Sequence, residues 1–216
     1  MIITEKKPFL ELLNSLKDFK KIFIIGCGEC STTCKTGGEK EVLELKEKLE
    51  AEGKEILGYV VPKAPCISAQ IKQEFAKSIK SLKEAEVILV LSCGLGVQSV
   101  KDNNRFGQKV IPGCNSLFIG VVDKEGNFLE KCSLCGDCLL DLTEGICPLT
   151  LCPKGILNGP CGGMDKGKCE VDKEKDCAWV LIYKEMERRN KIYNFSKIQP
   201  PRDFSKKTQP KKLIIS

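Results

Sequence analysis

Two groups of cysteines carry the residue types and spacings in this chain that could do chemistry. The first is Cys27-x2-Cys30-x3-Cys34, placed directly after a short apolar run, with Cys66 and Cys93 each following a later apolar run. The second opens as Cys132-x2-Cys135-x2-Cys138 and continues through Cys147-Pro148, Cys152-Pro153, Cys161, Cys169 and Cys177. With Cys114 these make 14 thiols among 216 residues, and there is no histidine. So many thiols in a reducing cytosol are not expected as disulfides, which leaves metal or redox chemistry. The missing histidine removes mixed cysteine–histidine zinc sites, Ser–His and Cys–His nucleophiles and histidine general bases together. A metal here would be held mostly by thiolates, which means zinc or iron–sulfur.

The second group begins like the first three ligands of a bacterial ferredoxin run, C-x2-C-x2-C, in which a fourth Cys-Pro ligand serves another cluster. Here that fourth position falls further on, at Cys147 or Cys152. Eight thiols suit two [4Fe-4S] clusters. Zinc is the rival, although zinc ribbons present two separated pairs and not a tight triplet. In the first group, three clustered thiolates plus one from a neighbouring loop make the four ligands of a further cluster or of a structural zinc. Cys114 reads instead as a small buried hydrophobe. Gly26-Cys27-Gly28 imitates a dinucleotide fingerprint, but Ser31 stands where the third glycine belongs, and no ribose-binding acid follows about twenty residues on. Nothing offers an acid–base pair or an activated nucleophile, so an electron relay is expected and substrate turnover is not.

These cysteines need elements to position them. Residues 4–19 place Phe9, Leu12, Leu13, Leu16 and Phe19 at helical spacing, which predicts an amphipathic helix. Lys21–Ile25 (KIFII) predicts a buried strand, 39–52 a helix ended by Gly53, and 54–61 a second strand halted by Pro62. A helix over 68–83, with Ser68 as its N-cap and Ile71, Phe75 and Ile79 inward, precedes a third strand over 86–91. A short helix from Val97 and a brief strand near 109–111 complete the alternation. Strands alternating with helices predict parallel pairing, so the fold class is α/β, with a small Rossmann-like parallel sheet over the first 115 residues or so. In such sheets ligands gather at the carboxyl ends of the strands, where Cys27, Cys66 and Cys93 arrive. Residues 117–122 and 127–130 read as a hairpin.

Beyond Lys131 periodicity is lost among cysteines, glycines and prolines, and a stretch of that kind must fold around something other than an apolar core. The domain reading is therefore 1–130 for the sheet domain and 131–190 for an irregular Cys-rich iron–sulfur module closed by a helix over 177–189. An extended basic arm follows over 191–216. Seven basic residues against Asp203 give that arm the chain's whole net charge of +6, leaving residues 1–190 formally neutral. The surplus reads as a docking arm for an acidic partner, with Phe195, Phe204, Leu213, Ile214 and Ile215 as apolar anchors, and not as a nucleic-acid face. No apolar run approaches the roughly 20 residues of a membrane helix, and no signal pattern opens the chain. A soluble cytoplasmic protein without membrane insertion is expected.

At this point the residues resemble a known family. Cys132-Ser-Leu-Cys135-Gly-Asp-Cys138, Thr143-Glu-Gly-Ile-Cys147-Pro, Cys152-Pro-Lys-Gly155, Asn158-Gly-Pro-Cys161-Gly-Gly163, Gly167-Lys-Cys169-Glu-Val and Asp176-Cys177-Ala-Trp179 are similar to the methylenetetrahydrofolate reductase C-terminal family. The blocks Gly26-Cys27-Gly28-x-Cys30-x3-Cys34, Ser92-Cys93-Gly94-x-Gly96-Val97-Gln98 and Pro200-Pro201-Arg202-Asp203-Phe204-Ser205 match as well. Stand-alone members of that family resemble MetV-type small iron–sulfur subunits of anaerobes. The resemblance implies a hetero-oligomer with a MetF-type flavoprotein, a TIM barrel that binds flavin and pterin and reduces methylene-tetrahydrofolate. The small subunit would supply electrons drawn from ferredoxin or another donor. Cys114 departs from the family pattern and is not carried over.

Overall fold

The chain is mixed α/β, and the computed structural model describes residues 1–214, so the expected anchor Ile215 lies outside the described residues. Two compact units divide it, Met1–Phe118 and Ile119–Ser216.

The first unit is built on a parallel four-stranded sheet. Its strands are β2 (Lys21–Ile25), β3 (Glu55–Val60), β4 (Val87–Val90) and β5 (Lys109–Pro112), in the order β3-β2-β4-β5. Strand β2 runs in register with β4 from Ile22↔Val87 to Ile25↔Val90, while its pairing with β3 is irregular between Ile22 and Phe23. Successive strand side chains point to opposite faces. Ile22, Ile24, Val87 and Leu89 therefore join one core with Leu12, Leu16, Val42 and Leu49, whereas Phe23, Ile25, Ile88 and Val90 join another with Ile71, Phe75, Leu82 and Val100. Burial on both faces is the reason β2 and β4 are continuous apolar runs without alternation.

The helices supply the covering layers. α1 (Phe9–Ser15) and α3 (Glu39–Ala51) contribute to the first core; α4 (Ser68–Lys77), α5 (Ile79–Glu84) and α6 (Gly94–Asn103) contribute to the second. Between β2 and α3 lies a single helical turn, α2 (Cys30–Thr33). A smaller sheet has the order β1-β6-β7, from Ile2–Lys6, Cys114–Val122 and Phe128–Glu130, and the chain passes from the first unit to the second within β6. β6 and β7 form the expected antiparallel hairpin.

Three local expectations are corrected. Residues 4–19 are not one helix: Ile2–Lys6 is a strand, and the helix begins only at Phe9. Pro8 disfavours helical backbone at the residue before it, so the apolar spacing could not extend upstream. The 68–83 helix is two, broken at Ser78 (φ −109°, ψ 18°), which turns Ile79 outward to 45% exposure and gives its buried place to Leu82. Ser68 is a first helical residue and not the cap, its hydroxyl being 2.7 Å from Asn103 Oδ1. Helix α6 also begins three residues before Val97.

In the second unit, regular structure over 131–177 is limited to α7 (Pro148–Leu151) and two isolated bridges joining Asp165, Lys168 and Asp176. Helix α8 (Ala178–Arg188) follows and supplies most of a small apolar core: Cys177, Trp179, Ile182 and Met186, flanked by Ile146, Met164, Val180 and Phe195.

Candidate functional site

In the first unit the strand order brings cysteines together that are far apart in sequence. β2 is flanked by β3 and β4, so the loops leaving the carboxyl ends of these strands converge where the strand order reverses. They deliver Cys27 (buried) and Cys30 from β2, Cys66 (exposed) from β3 and Cys93 (buried) from β4. The Cys66 thiol is pushed up, by partial desolvation first, then by Cys93 and more weakly by Cys27 and Cys30. Cys66 therefore lies within electrostatic reach of the other three thiols. Cys34 Sγ donates to the Ile2 carbonyl at 3.9 Å. Cys114 is buried beside the Thr36 carbonyl, and burial pushes its thiol up to about 11. A neutral thiol in that setting behaves as core, as its spacing predicts.

The loop that carries Cys27 and Cys30 is tied on every side. Gly26 and Gly28 N–H groups donate to the Val60 and Pro62 carbonyls (2.8 and 2.9 Å), and Cys27 N–H donates to Gly37 O (2.8 Å). Thr32 Oγ1 donates to Cys27 O at 2.7 Å, and Glu41 accepts the Gly38 N–H at 3.0 Å. A Cβ on Gly26 would stand 2.6 Å from Gly37 O. The glycines of the false dinucleotide fingerprint thus serve close packing within the protein.

The second unit holds eight free thiols on irregular backbone. Cys152, Cys161, Cys169 and Cys177 line one small cavity of about 20 Å³, together with Lys154, Met164, Glu170 and Trp179. Trp179 Nε1 donates to Ile156 O at 2.8 Å, which holds one wall of that cavity. Cys161 Sγ donates to Glu170 Oε2 at 3.2 Å, and Glu170 is ion-paired with Lys154. The ammonium and then the Cys161 thiol hold the Glu170 carboxyl below its ordinary value, while Glu170 raises Lys154.

Cys132, Cys135 and Cys138 lie on one irregular segment that bends at Gly136 and Asp137, in which Leu134 N–H donates to Cys132 Sγ (3.4 Å) and Cys135 Sγ to Asp137 O (3.4 Å). Cys147 caps the start of α7, 3.5 Å from Thr150 Oγ1. Arg202 Nη2 lies 3.3 Å from Cys135 Sγ. Spacing of the cysteines alone did not single out Lys154, Glu170 or Arg202 as neighbours of sulfur. The available signal was their place inside the blocks Cys152-Pro-Lys-Gly155, Cys169-Glu-Val and Pro200–Ser205.

Among the described residues, no three cysteine, aspartate or glutamate side chains already converge into a metal-binding group. The fit to a thiolate-bound metal rests on the donor sets. The cysteines are all free, one set of four lines a single cavity, Cys66 at a sheet edge is within electrostatic reach of Cys93, Cys27 and Cys30, and histidine is missing from the chain. Soft thiolate sets of this kind suit zinc and iron–sulfur clusters.

The basic arm is less free than its composition predicts. Phe195 is not an open anchor: its ring meets Trp179 and Tyr183 edge-on, with centroids 5.8 and 5.7 Å apart. Phe204, Leu213 and Ile214 remain exposed. Among the described residues no helix is long and apolar enough to cross a membrane.

Residues 111–205 match the family model described as methylene-tetrahydrofolate reductase C terminal. That span takes in all eight cysteines of the second unit together with Arg202. No curated protein and no solved structure matches the chain.

Proposed function

We propose that this chain is an electron-transferring iron–sulfur subunit of a methylenetetrahydrofolate reductase. Its partner would be a MetF-type flavoprotein, joined with it in a hetero-oligomer of one-carbon metabolism, and ferredoxin or another donor would feed it. The observation that carries this reading is the single cavity lined by Cys152, Cys161, Cys169 and Cys177 inside the segment that matches the reductase family.

The cavity supports the grouping of one set, and the remaining four thiols of the second unit are assigned to the other. Cys152, Cys161, Cys169 and Cys177 make one ligand set, and Cys132, Cys135 and Cys138 with Cys147 make the second. A third site, a cluster or a zinc, draws on Cys27, Cys30, Cys34, Cys66 and Cys93. Bound there, a [4Fe-4S] cluster supplies one-electron transfer at a potential set by hydrogen bonds to sulfur, net charge and exposure. The chain's own contribution is to present deprotonated sulfur, donate N–H groups such as that of Leu134 to it, and close the site behind Trp179. Ligation would also stabilise the second unit, whose apolar core is small, because binding free energy at such a site is folding free energy.

Iron and acid-labile sulfide determined on anaerobically purified full-length protein test the reading. The expected result is both elements in near-equal amounts and a visible absorption that bleaches under dithionite. Zinc without sulfide would overturn it in favour of a metal-stapled scaffold.

A further inference from the structure

The carboxy-terminal arm folds back onto its own unit. Asn158 and Gln199 exchange two hydrogen bonds (3.1 and 2.7 Å), and Lys206 pairs with Asp137 at 3.2 Å. Gly136 makes the approach possible: its φ of +81° is open to glycine, and a Cβ there would stand 2.4 Å from Lys206 O. Between these ties Arg202 reaches the cysteine segment. Its Nη2 donates to Asp137 O at 2.6 Å and lies 3.3 Å from Cys135 Sγ, while its buried Nη1 has no partner among the described residues.

The charge on Arg202 is permanent, and its hydrogen bonds go to sulfur and a carbonyl; the nearby Asp137 carboxylate is engaged by Lys206. The other cavity is arranged differently. There Cys161 Sγ meets an ion pair, Glu170 with Lys154, whose opposite charges offset one another at the sulfur. One ligand set thus carries an uncompensated cation on its sulfur and the other a compensated pair. A cation donating to a thiolate sulfur stabilises the more negative, reduced state of a cluster and raises its potential.

We propose that Arg202 is a positioning residue that holds the arm's positive charge against Cys135 and sets that site at a higher reduction potential than the site at Cys161. Electrons entering the second unit would then settle at the Cys135 site. The inference rests on the cluster reading above, and it gives the basic arm an intramolecular role.

The test is an EPR-monitored redox titration of the anaerobic full-length protein and its Arg202→Gln and Arg202→Lys variants, each with iron and sulfide determined. The expected result is unchanged iron and sulfide in Arg202→Gln, with one midpoint shifted to more negative potential and the other unmoved. Arg202→Lys, which keeps charge but loses the planar fork, should fall between Gln and wild type. If Arg202→Gln loses iron, Arg202→Met, uncharged and of similar length, takes its place, and a midpoint equal to wild type overturns the proposal. Faster tryptic cleavage of the arm with unmoved midpoints also overturns it, because Arg202 is then a clasp only. Wild-type protein without iron and sulfide would defeat the parent reading, an outcome distinct from unmoved midpoints in a clustered protein.

Discussion

Replacing Gly37 with alanine places a methyl group where Leu91, the residue that follows β4, already lies. The new Cβ would stand 1.9 Å from Leu91 O, 2.7 Å from its carbonyl carbon and 2.9 Å from its Cβ, against the 3.0 Å below which real contacts essentially never fall. The neighbour is backbone and cannot rotate away, so the two chains must part by more than 1 Å. That movement strains Cys27 N–H to Gly37 O (2.8 Å) and Gly37 N–H to Ser31 O (3.2 Å), and it pulls against Leu91 N–H to Ile25 O (2.7 Å), which ties β4 to β2. Overpacking costs about 1–3 kcal/mol, and each weakened hydrogen bond adds about 1 kcal/mol. Gly37→Ala should therefore lose about 3 kcal/mol or more. At roughly 2–4 °C per kcal/mol for a chain of this size, the first unit's Tm falls by roughly 6–12 °C. The same loop carries Cys27 and Cys30, so metal bound by the first unit should fall with it. Differential scanning calorimetry with metal analysis measures both, and Gly94→Ala, whose Cβ would meet only Ser116 Oγ at 3.8 Å, is the control. A Gly37→Ala protein within about 0.5 kcal/mol of wild type would refute the argument that this loop is locked by close packing.

Cys177→Ala should remove about one site's iron while Cys114→Ala leaves the metal content unchanged, because Cys177 lines the four-thiol cavity and Cys114 is a buried neutral thiol; elemental analysis of both variants checks this. Trp179→Phe leaves the Ile156 carbonyl without its 2.8 Å donor and should cost about 1–3 kcal/mol in urea unfolding followed by circular dichroism. An unchanged midpoint would show that the bond contributes nothing to that wall. Arg188 and then Arg189 hold the Glu185 carboxyl down to about 2, below the ordinary value near 4.3. A depressed carboxylate contributes stability that is present above its unfolded value and lost as pH falls through its folded one. The small melting difference between wild type and Glu185→Gln should thus vanish between about pH 4.3 and pH 2. A carboxyl carbon chemical shift that titrates at the ordinary value would contradict the ion pairs.

Much of the first unit was legible because burial writes a strong local signal. KIFII and the run around Val87–Val90 are apolar on every residue, and a strand covered on both faces has no other composition available. The 2–6 strand was not legible, because five residues are too few for a period to stand out and the adjoining helical pattern reads upstream to Thr4, past the limit that Pro8 sets. Nor was the break at Ser78, since Ile79 and Leu82 fit one helical face equally well in sequence and differ only in which meets the core.

The sequence by itself determined the donor chemistry: fourteen thiols without histidine, their spacing, and the strand ends that carry Cys27, Cys66 and Cys93. Those are properties of residue type and of local backbone, which short segments settle alone. Only the tertiary structure decided which distant groups share a surface. Cys152, Cys161, Cys169 and Cys177 line one cavity, Cys66 senses Cys93 across the sheet edge, and Phe195 and Arg202 turn back from an arm whose composition reads as docking on a separate acidic partner. The physical reason is that a charge or a thiol acts through space over a few ångströms, and sequence distance carries no information about that separation until the chain has folded.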